Sequence, residues 1–208
     1  IKARVVAGDQ KSGIQLMAML MPFTFRKYID FSTLESLRKM KVLINREVQR
    51  KDISNNIKLG IGGIREVEFI VQAFQIIHGG RDTRFQSQSL KDILILMNKE
   101  SLLPGSDIKK LQKNYEFLRN IEHILQGAQD LQTHMLPNTE LEKLKLSYLM
   151  DCNDWNEFSS LLTKCRSEVQ KLFGSVVAND QVSDKNININ SEIVIAGDIW
   201  QCSADEDM

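Results

Sequence analysis

The chain has 208 residues, and its 27 lysines and arginines are balanced by 27 aspartates and glutamates. This length allows one domain or two small ones with a buried core. A hydrophobic fraction of 42% and a charged fraction of 26% are typical of a soluble globular protein, and they exclude wholesale disorder and a membrane protein. Zero net charge argues against a general nucleic-acid binder. We therefore expect neither a nucleic-acid partner nor a membrane partner.

The three cysteines, Cys152, Cys165 and Cys202, are far apart and match no zinc or redox spacing. We therefore expect reduced thiols in a cytoplasmic protein and no metal site. The chain does not begin with Met, and residues 1–6 are predicted to lie within an ordered element. Both features lead us to expect that this sequence is a piece of a longer protein.

The first 51 residues are basic, with 11 lysines and arginines against 4 aspartates and glutamates. A capping box at Ser32-Thr33-Leu34-Glu35, followed by apolar residues at helical spacing, predicts a helix over residues 33–51. The glycine-rich segment Gly60-Ile61-Gly62-Gly63 then breaks the chain. A very apolar helix is predicted to follow it to about His78, where Gly79-Gly80 ends the helix.

Helical periodicity, with a capping or turn residue in front, predicts four further helices over residues 89–99, 106–131, 139–150 and 154–177. No segment shows the alternating pattern of a strand. The sequence therefore predicts an all-α fold, a helical bundle of six or seven helices over residues 1–177. From Gly174 onward seven acidic residues face one lysine, and this predicts an acidic, solvated linker over residues 178–208.

The glycine-rich segment allows two interpretations. A glycine loop that leads into a helix N-terminus offers backbone N–H groups and a favourable dipole to an anion, and Lys58 would add a positive charge. Alternatively, the three glycines, Gly60, Gly62 and Gly63, form a tight turn with no ligand.

The helix after the loop is apolar on nearly every side. Its polar residues form one narrow strip, Arg65, Glu68, Gln72 and Gln75, at spacings of three and four. This strip either faces a site completed by another domain, or contains an Arg65–Glu68 ion pair and two amides bonded to neighbouring helices. Glu66 falls about 160° from Glu68 on the helix, so these two carboxylates do not form an acid/base pair.

The remaining polar residues indicate no further site. His78, His123 and His134 lie on different elements, and their spacing predicts core or surface histidines rather than ligands. The cluster Arg119-Asn120-Ile121-Glu122-His123 on the long helix is predicted to make helix–helix hydrogen bonds.

A family resemblance rests on several segments in the same order along residues 1–175. The most specific is NIKLGIGGIREVEFIVQ at residues 56–72, and the others are RKYIDF at 26–31, LRKMK at 37–41, GGR at 79–81, FLRNIEHILQ at 117–126 and QTHMLP at 132–137. Together they resemble the glutamine synthetase adenylyltransferase/adenylyl-removing enzymes.

This resemblance implies a helical domain of an enzyme with two similar halves, each a nucleotidyltransferase domain followed by a helical bundle. The amino-terminal half removes the adenylyl group from a tyrosine of glutamine synthetase by phosphorolysis and gives ADP, and the carboxy-terminal half attaches it from ATP. The Arg65-Glu66 form of the motif is similar to the removing half. The resemblance also implies three partners: glutamine synthetase, the PII signalling protein, and a nucleotidyltransferase domain absent from this chain.

In that family the carboxylates that hold Mg²⁺ and position ATP or ADP belong to the preceding domain, and no such arrangement exists in this sequence. We therefore expect no catalytic residue, metal or nucleotide site in this chain alone. Its predicted contribution is a segment that lines the cleft shared with the catalytic domain, with the candidates Lys58, Gly60, Gly62, Gly63, Arg65, Glu68 and Gln72.

Two alternatives stay open from the sequence. One is the bundle of a uridylyltransferase that acts on PII, which shares this type of helical domain. The other is a non-catalytic docking module for glutamine synthetase or PII, in which the basic first 51 residues bind an acidic partner.

Overall fold

A computed structural model describes residues 1–27, 54–129 and 132–178, together with the single positions Ser36, Lys39, Leu43 and Arg46. Most of the predicted helix over residues 33–51 lies outside the described residues. The predicted acidic linker lies outside them from residue 179 onward. None of the described helices is both long enough and apolar enough to cross a membrane.

Within the described residues the chain forms six α-helices and one short 3-10 helix at Thr83–Gln86. The α-helices are α1 (Gln10–Thr24), α2 (Ile64–Gly79), α3 (Leu90–Lys99), α4 (Gly105–Gln129), α5 (Glu140–Leu149) and α6 (Trp155–Ala178). The only β-type pairing in this part of the chain is an isolated antiparallel bridge between Asn56 and Met135. The prediction of an all-α helical fold is therefore confirmed.

Capping side chains begin the helices where the sequence predicts them. Ser89 accepts a hydrogen bond from the Asp92 amide, and Thr139 accepts one from the Glu142 amide. Asp154 accepts a bond of 2.8 Å from the amide of Glu157, three residues into α6. Each of these bonds satisfies a backbone donor that has no partner inside its own helix.

The amino terminus differs from the prediction. Residues 1–6 were expected to lie within an ordered element, yet they have no regular secondary structure, and the first helix starts at Gln10. The sequence pattern missed α1 because its apolar residues occur at nearly every position from Leu16 to Phe23, so that no helical periodicity stands out. Asp9 caps this helix by accepting bonds from the amides of Lys11 and Ser12.

The core consists of two clusters of buried side chains that α4 and α6 both span. The first joins α2, α3 and the 3-10 helix to the start of α4 and the end of α6. The second joins the loop before α2 to the later part of α4, α5 and the start of α6. On α4 the buried apolar residues recur at helical spacing, namely Ile108, Leu111, Leu118, Ile121 and Leu125. Each such side chain contributes roughly 1.5–3 kcal/mol on burial.

The residues just before the glycine loop pair with the segment that follows α4. The Ile57 amide donates to the His134 carbonyl at 2.9 Å, and the Leu136 amide donates to the Asn55 carbonyl at 3.0 Å. Residues 54–58 therefore run antiparallel to the segment that follows α4. This pairing places Lys58 and His134 beside the same face of the long helix.

Candidate functional site

The loop before α2 is built around the side chain of Asn56. Its Oδ1 accepts hydrogen bonds from the amides of Lys58 and Leu59, at 2.9 and 2.8 Å. Arg166 of α6 holds the loop from outside, because its guanidinium donates to the carbonyls of Ser54 and Asn56 at 2.7 and 3.0 Å. Nothing in the sequence spacing pointed to Arg166, which lies 110 residues away from Asn56.

Two of the predicted glycines are required by close packing. Gly62 has a φ of +69°, and a Cβ there would lie 2.3 Å from the Arg166 carbonyl oxygen. A Cβ at Gly63 would lie 2.6 Å from the Ile57 carbonyl oxygen. A side chain at either position would therefore meet backbone atoms that have no freedom to move aside.

Most backbone amides of the loop donate hydrogen bonds within the protein. The Gly62 amide donates to the carboxylate of Glu66 at 3.1 Å, and the Gly63 amide donates to the Gly60 carbonyl at 3.0 Å. The first two amides of α2, from Ile64 and Arg65, donate to the carbonyls at positions 57 and 58. Of the two interpretations of the glycine segment, these bonds favour the tight turn over an anion cradle made of backbone amides.

The most concentrated charge in the described residues surrounds Glu122 of α4. Its side chain is 2% exposed, and its carboxylate contacts Lys58 Nζ at 3.3 Å, His134 Nδ1 at 3.1 Å and the guanidinium of Arg119. An unpaired buried carboxylate would be costly, and these contacts offset the cost of burying it. The four side chains, Lys58, Arg119, Glu122 and His134, are called the Glu122 cluster below.

The Glu122 cluster carries a net positive charge. Burial lowers the pKa of His134, and the positive charge of Lys58 lowers it further, against the opposing effect of Glu122. The imidazole is therefore neutral at pH 7, which leaves two cations over one carboxylate. The side chains of Lys58 and Arg119 are 34% and 35% exposed, so both cations also reach solvent. This set of groups repels a divalent cation and suits an anion instead.

The polar strip of α2 makes contacts other than those that the ion-pair interpretation predicts. Glu68 pairs with Lys2 Nζ at 2.7 Å and Arg65 is exposed, so the interpretation with an Arg65–Glu68 ion pair is wrong. The side-chain amide nitrogen of Gln75, Nε2, donates to the backbone carbonyls of Phe85 and Ser87, at 2.9 and 2.7 Å. These acceptors belong to the 3-10 turn and the residue after it rather than to neighbouring helices.

Tyr115 of α4 joins the strip to the Glu122 cluster. It lines a small cavity of about 100 Å³ together with Lys2, Glu68 and Gln72. Burial raises the pKa of its phenol, Arg119 lowers it, and the carboxylates of Glu68 and Glu122 both raise it. Tyr115 lies one helical turn before Arg119 on α4, so the cavity lined by Glu68 and Gln72 is next to the Glu122 cluster that contains Lys58. The cavity and the cluster form one polar surface of α2, α4 and the loop before α2.

A signal for this surface was present in the sequence. Tyr115, Arg119, Glu122 and Gln126 follow one another at spacings of four, three and four, which places them on one face of α4. The prediction that Arg119 and Glu122 make ordinary helix–helix hydrogen bonds was wrong, because they pair with each other and with side chains of two loops.

The other titratable candidates are structural. His78 stacks on Phe74 and lies 5.1 Å from the Phe85 ring, and burial lowers its pKa. His123 is exposed. Cys152 and Cys165 are buried thiols without a disulfide, and burial raises the pKa of Cys165 to about 12. The predicted thiol of Cys202 lies outside the described residues. In the described part of the chain no group of three or more His, Cys, Asp or Glu residues is placed to hold a metal ion.

Comparison with known proteins identifies related chains. A family model described as GlnD PII-uridylyltransferase matches residues 38–177. Bifunctional glutamine synthetase adenylyltransferase/adenylyl-removing enzymes from Pseudomonas syringae pv. tomato and Pseudomonas putida are 46% and 45% identical over all of this chain. The enzyme of that name from Pseudomonas aeruginosa is 48% identical over 86% of it. The chain spans 21% of the length of the first two relatives and 18% of the third.

Proposed function

The chain belongs to the GlnD PII-uridylyltransferase family, and from this premise we propose that it is a helical domain of a bifunctional glutamine synthetase adenylyltransferase/adenylyl-removing enzyme. One observation carries the proposal: relatives of that name match the chain at 45–46% identity from end to end. The Arg65-Glu66 form of the motif in α2 supports the adenylyl-removing half. The substrate of the whole protein is then the adenylylated tyrosine of glutamine synthetase, and PII is proposed as its regulator.

In this proposal the chemistry is divided between two domains. Mg²⁺ and the nucleotide, ATP or ADP, belong to a nucleotidyltransferase domain in another part of the whole protein, where carboxylates would hold the metal against the phosphates. The residues described here supply no such carboxylate set, and the Glu122 cluster is unsuited to a cation. The contribution of this domain is a polar wall of the shared cleft.

The Glu122 cluster is the part of that wall best suited to the reaction. The Lys58 ammonium has three donors and the Arg119 guanidinium has five, so contact with one carboxylate leaves both able to donate to an anion. Phosphorolysis brings together inorganic phosphate and the phosphate of the adenylyl group, and both are anions. We assign Lys58 and Arg119 to attract and orient these anions, while Glu122 holds both cations in place and the neutral imidazole of His134 contacts its carboxylate.

The other residues of the polar surface have supporting roles in this scheme. Gly62 and Gly63 allow the tight turn that presents Lys58, and Gly60 donates its amide to the Asn56 carbonyl within the same turn. Glu68 and Gln72 line the small cavity beside Tyr115, and Arg65 extends the exposed polar strip. These residues shape the wall and do not take part in bond making.

A second function has a specific observation in its favour, because the matching family model is described as a PII-uridylyltransferase. The two functions differ in substrate and in co-substrate. The full-length protein is incubated with adenylylated glutamine synthetase and phosphate, and separately with PII and UTP. Phosphate-dependent release of ADP in the first reaction supports our proposal. Transfer of uridylyl groups to PII, with no ADP released, would replace it with the second function.

A further inference from the structure

Several apolar side chains of helix α1 are exposed to solvent. None of its 15 residues is buried, and Lys11 is its only charged residue. Leu16, Met19 and Phe23 are 54%, 76% and 70% exposed. Because they are spaced by three and four residues, they lie within about 60° of each other on one side of the helix. These three side chains are called the α1 stripe below.

The stripe is a distinct side of the helix. On the other side Met17, Leu20 and Met21 are half-buried, so that α1 already has an inward face. An apolar stripe that faces outward from such a helix differs from isolated surface leucines, which are common and require no partner. Methionine and phenylalanine provide much of this surface, and methionine adapts its shape readily to a partner.

Contacts at both ends hold α1 in place. Before the helix, Lys2 pairs with Glu68 and the carbonyl of Ala3 accepts a bond of 2.6 Å from Gln88. After it, Phe25 is 6% exposed and packs on Gly79, where a Cβ would lie 2.4 Å from the Phe25 ring. The carbonyl of Lys27 then accepts a bond from Arg81 at 3.3 Å. The helix is therefore anchored to the bundle, although its outward face stays exposed among the described residues.

We propose that the α1 stripe is an internal docking surface, covered in the intact protein by an apolar surface of the same polypeptide outside these 208 residues. The relatives supply the argument for this occupant, since the chain spans only 21% of their length and a large part of such a protein lies outside it. The near absence of charge on α1 favours an apolar partner over an acidic or basic one. The inference rests on the proposed function only in treating the chain as part of a longer polypeptide.

The test measures how fast a thiol on the stripe is modified in the full-length protein. Met19→Cys places the thiol on the stripe, and Ile95→Cys places the control thiol on α3, where Ile95 is 57% exposed. Both variants are treated with N-ethylmaleimide, and the modified peptides are followed by mass spectrometry. If the stripe is covered, modification at position 19 is at least about tenfold slower than at position 95, because it requires local opening.

Two results would overturn the proposal. Equal or faster modification at position 19 means that the stripe is open to solvent. Slow modification that becomes fast on dilution of the protein means that a second copy covers it. This readout needs no enzymatic activity, so it is independent of the proposed reaction.

A second measurement covers the case in which Met19→Cys fails to fold. Dilute hydrogen peroxide oxidises exposed methionines of the unmutated full-length protein, and Met135, which is 44% exposed, serves as the internal reference. Our proposal predicts that Met19 forms its sulfoxide more slowly than Met135, although Met19 is the more exposed of the two in the bundle. Faster oxidation of Met19 contradicts the proposal.

Discussion

Gly62 is required both by the backbone conformation of the loop and by its packing on α6. Its positive φ is the left-handed conformation that this turn uses, and its missing side chain lets the loop lie directly on the backbone of Arg166. Both properties belong to glycine, and both were visible in the sequence only as a glycine-rich break. The sequence therefore left a tight turn and an anion-binding loop both open, and the structure supplies the reason for glycine at this position.

Gly62→Ala is expected to destabilise the chain by at least about 2 kcal/mol, because it combines left-handed backbone strain with a clash against backbone atoms. The matched control is Gly127→Ala on α4, where a Cβ meets nothing within 4 Å. In a helix that control is neutral or stabilising by up to about 1 kcal/mol. Urea denaturation measures the free energy of unfolding of each variant, and equal stability of the two would contradict the role given to Gly62.

Glu122 is the residue on which the polar surface depends, because it is the shared counter-ion of Lys58 and Arg119 and also contacts His134. Glu122→Gln preserves the shape of the side chain and removes its charge. Since Lys58 and Arg119 are partly solvated, we expect a loss of about 1–3 kcal/mol in the free energy of unfolding rather than complete unfolding.

The control for that substitution is Glu116→Gln, also on α4 but exposed and bonded to Gln112. It is expected to change stability by less than about 0.5 kcal/mol. If the two glutamates prove equally dispensable in urea denaturation, the three contacts to Glu122 do not stabilise the fold.

At the scale of elements, local signals determined how much the sequence could predict. Capping residues placed the starts of α3, α5 and α6 within one residue, because a cap is a contact between near neighbours in the chain. Helix α1 was missed because it has no polar face to create a period. His134 was assigned no role because its position depends on the pairing of residues 54–58 with the segment after α4, and one sequence shows no such distant contact.

Thr139 gives a test of the capping argument. Its hydroxyl accepts a bond from the Glu142 amide and lies 2.7 Å from the Glu142 carboxylate. Thr139→Ala removes both contacts from a helix of only ten residues, and we expect a loss of about 1 kcal/mol in the free energy of unfolding. Thr139→Ser, which keeps the hydroxyl, is expected to retain most of that stability in the same denaturation experiment. A destabilisation of similar size in both variants would mean that the hydroxyl is not the stabilising group.

At the scale of the whole molecule, the bundle has two features that point beyond itself. One is the polar surface of α2 and α4, with its two partly exposed cations, and the other is the apolar α1 stripe. The first suits an anionic substrate and the second suits an apolar protein surface. In our proposal both features belong to a domain that packs on the remainder of a larger enzyme and contributes positive charge to its cleft.

The most direct test of this account compares phosphorolysis by full-length variants. Lys58→Met and Arg119→Met remove the two proposed anion-orienting charges, and Lys109→Met removes an exposed lysine elsewhere on α4. ADP release from adenylylated glutamine synthetase is measured against phosphate concentration, and circular dichroism verifies folding. We predict that kcat/KM for phosphate falls at least about tenfold in the first two variants and remains unchanged in the third. Folded Lys58→Met and Arg119→Met proteins with unchanged kinetics would contradict the account.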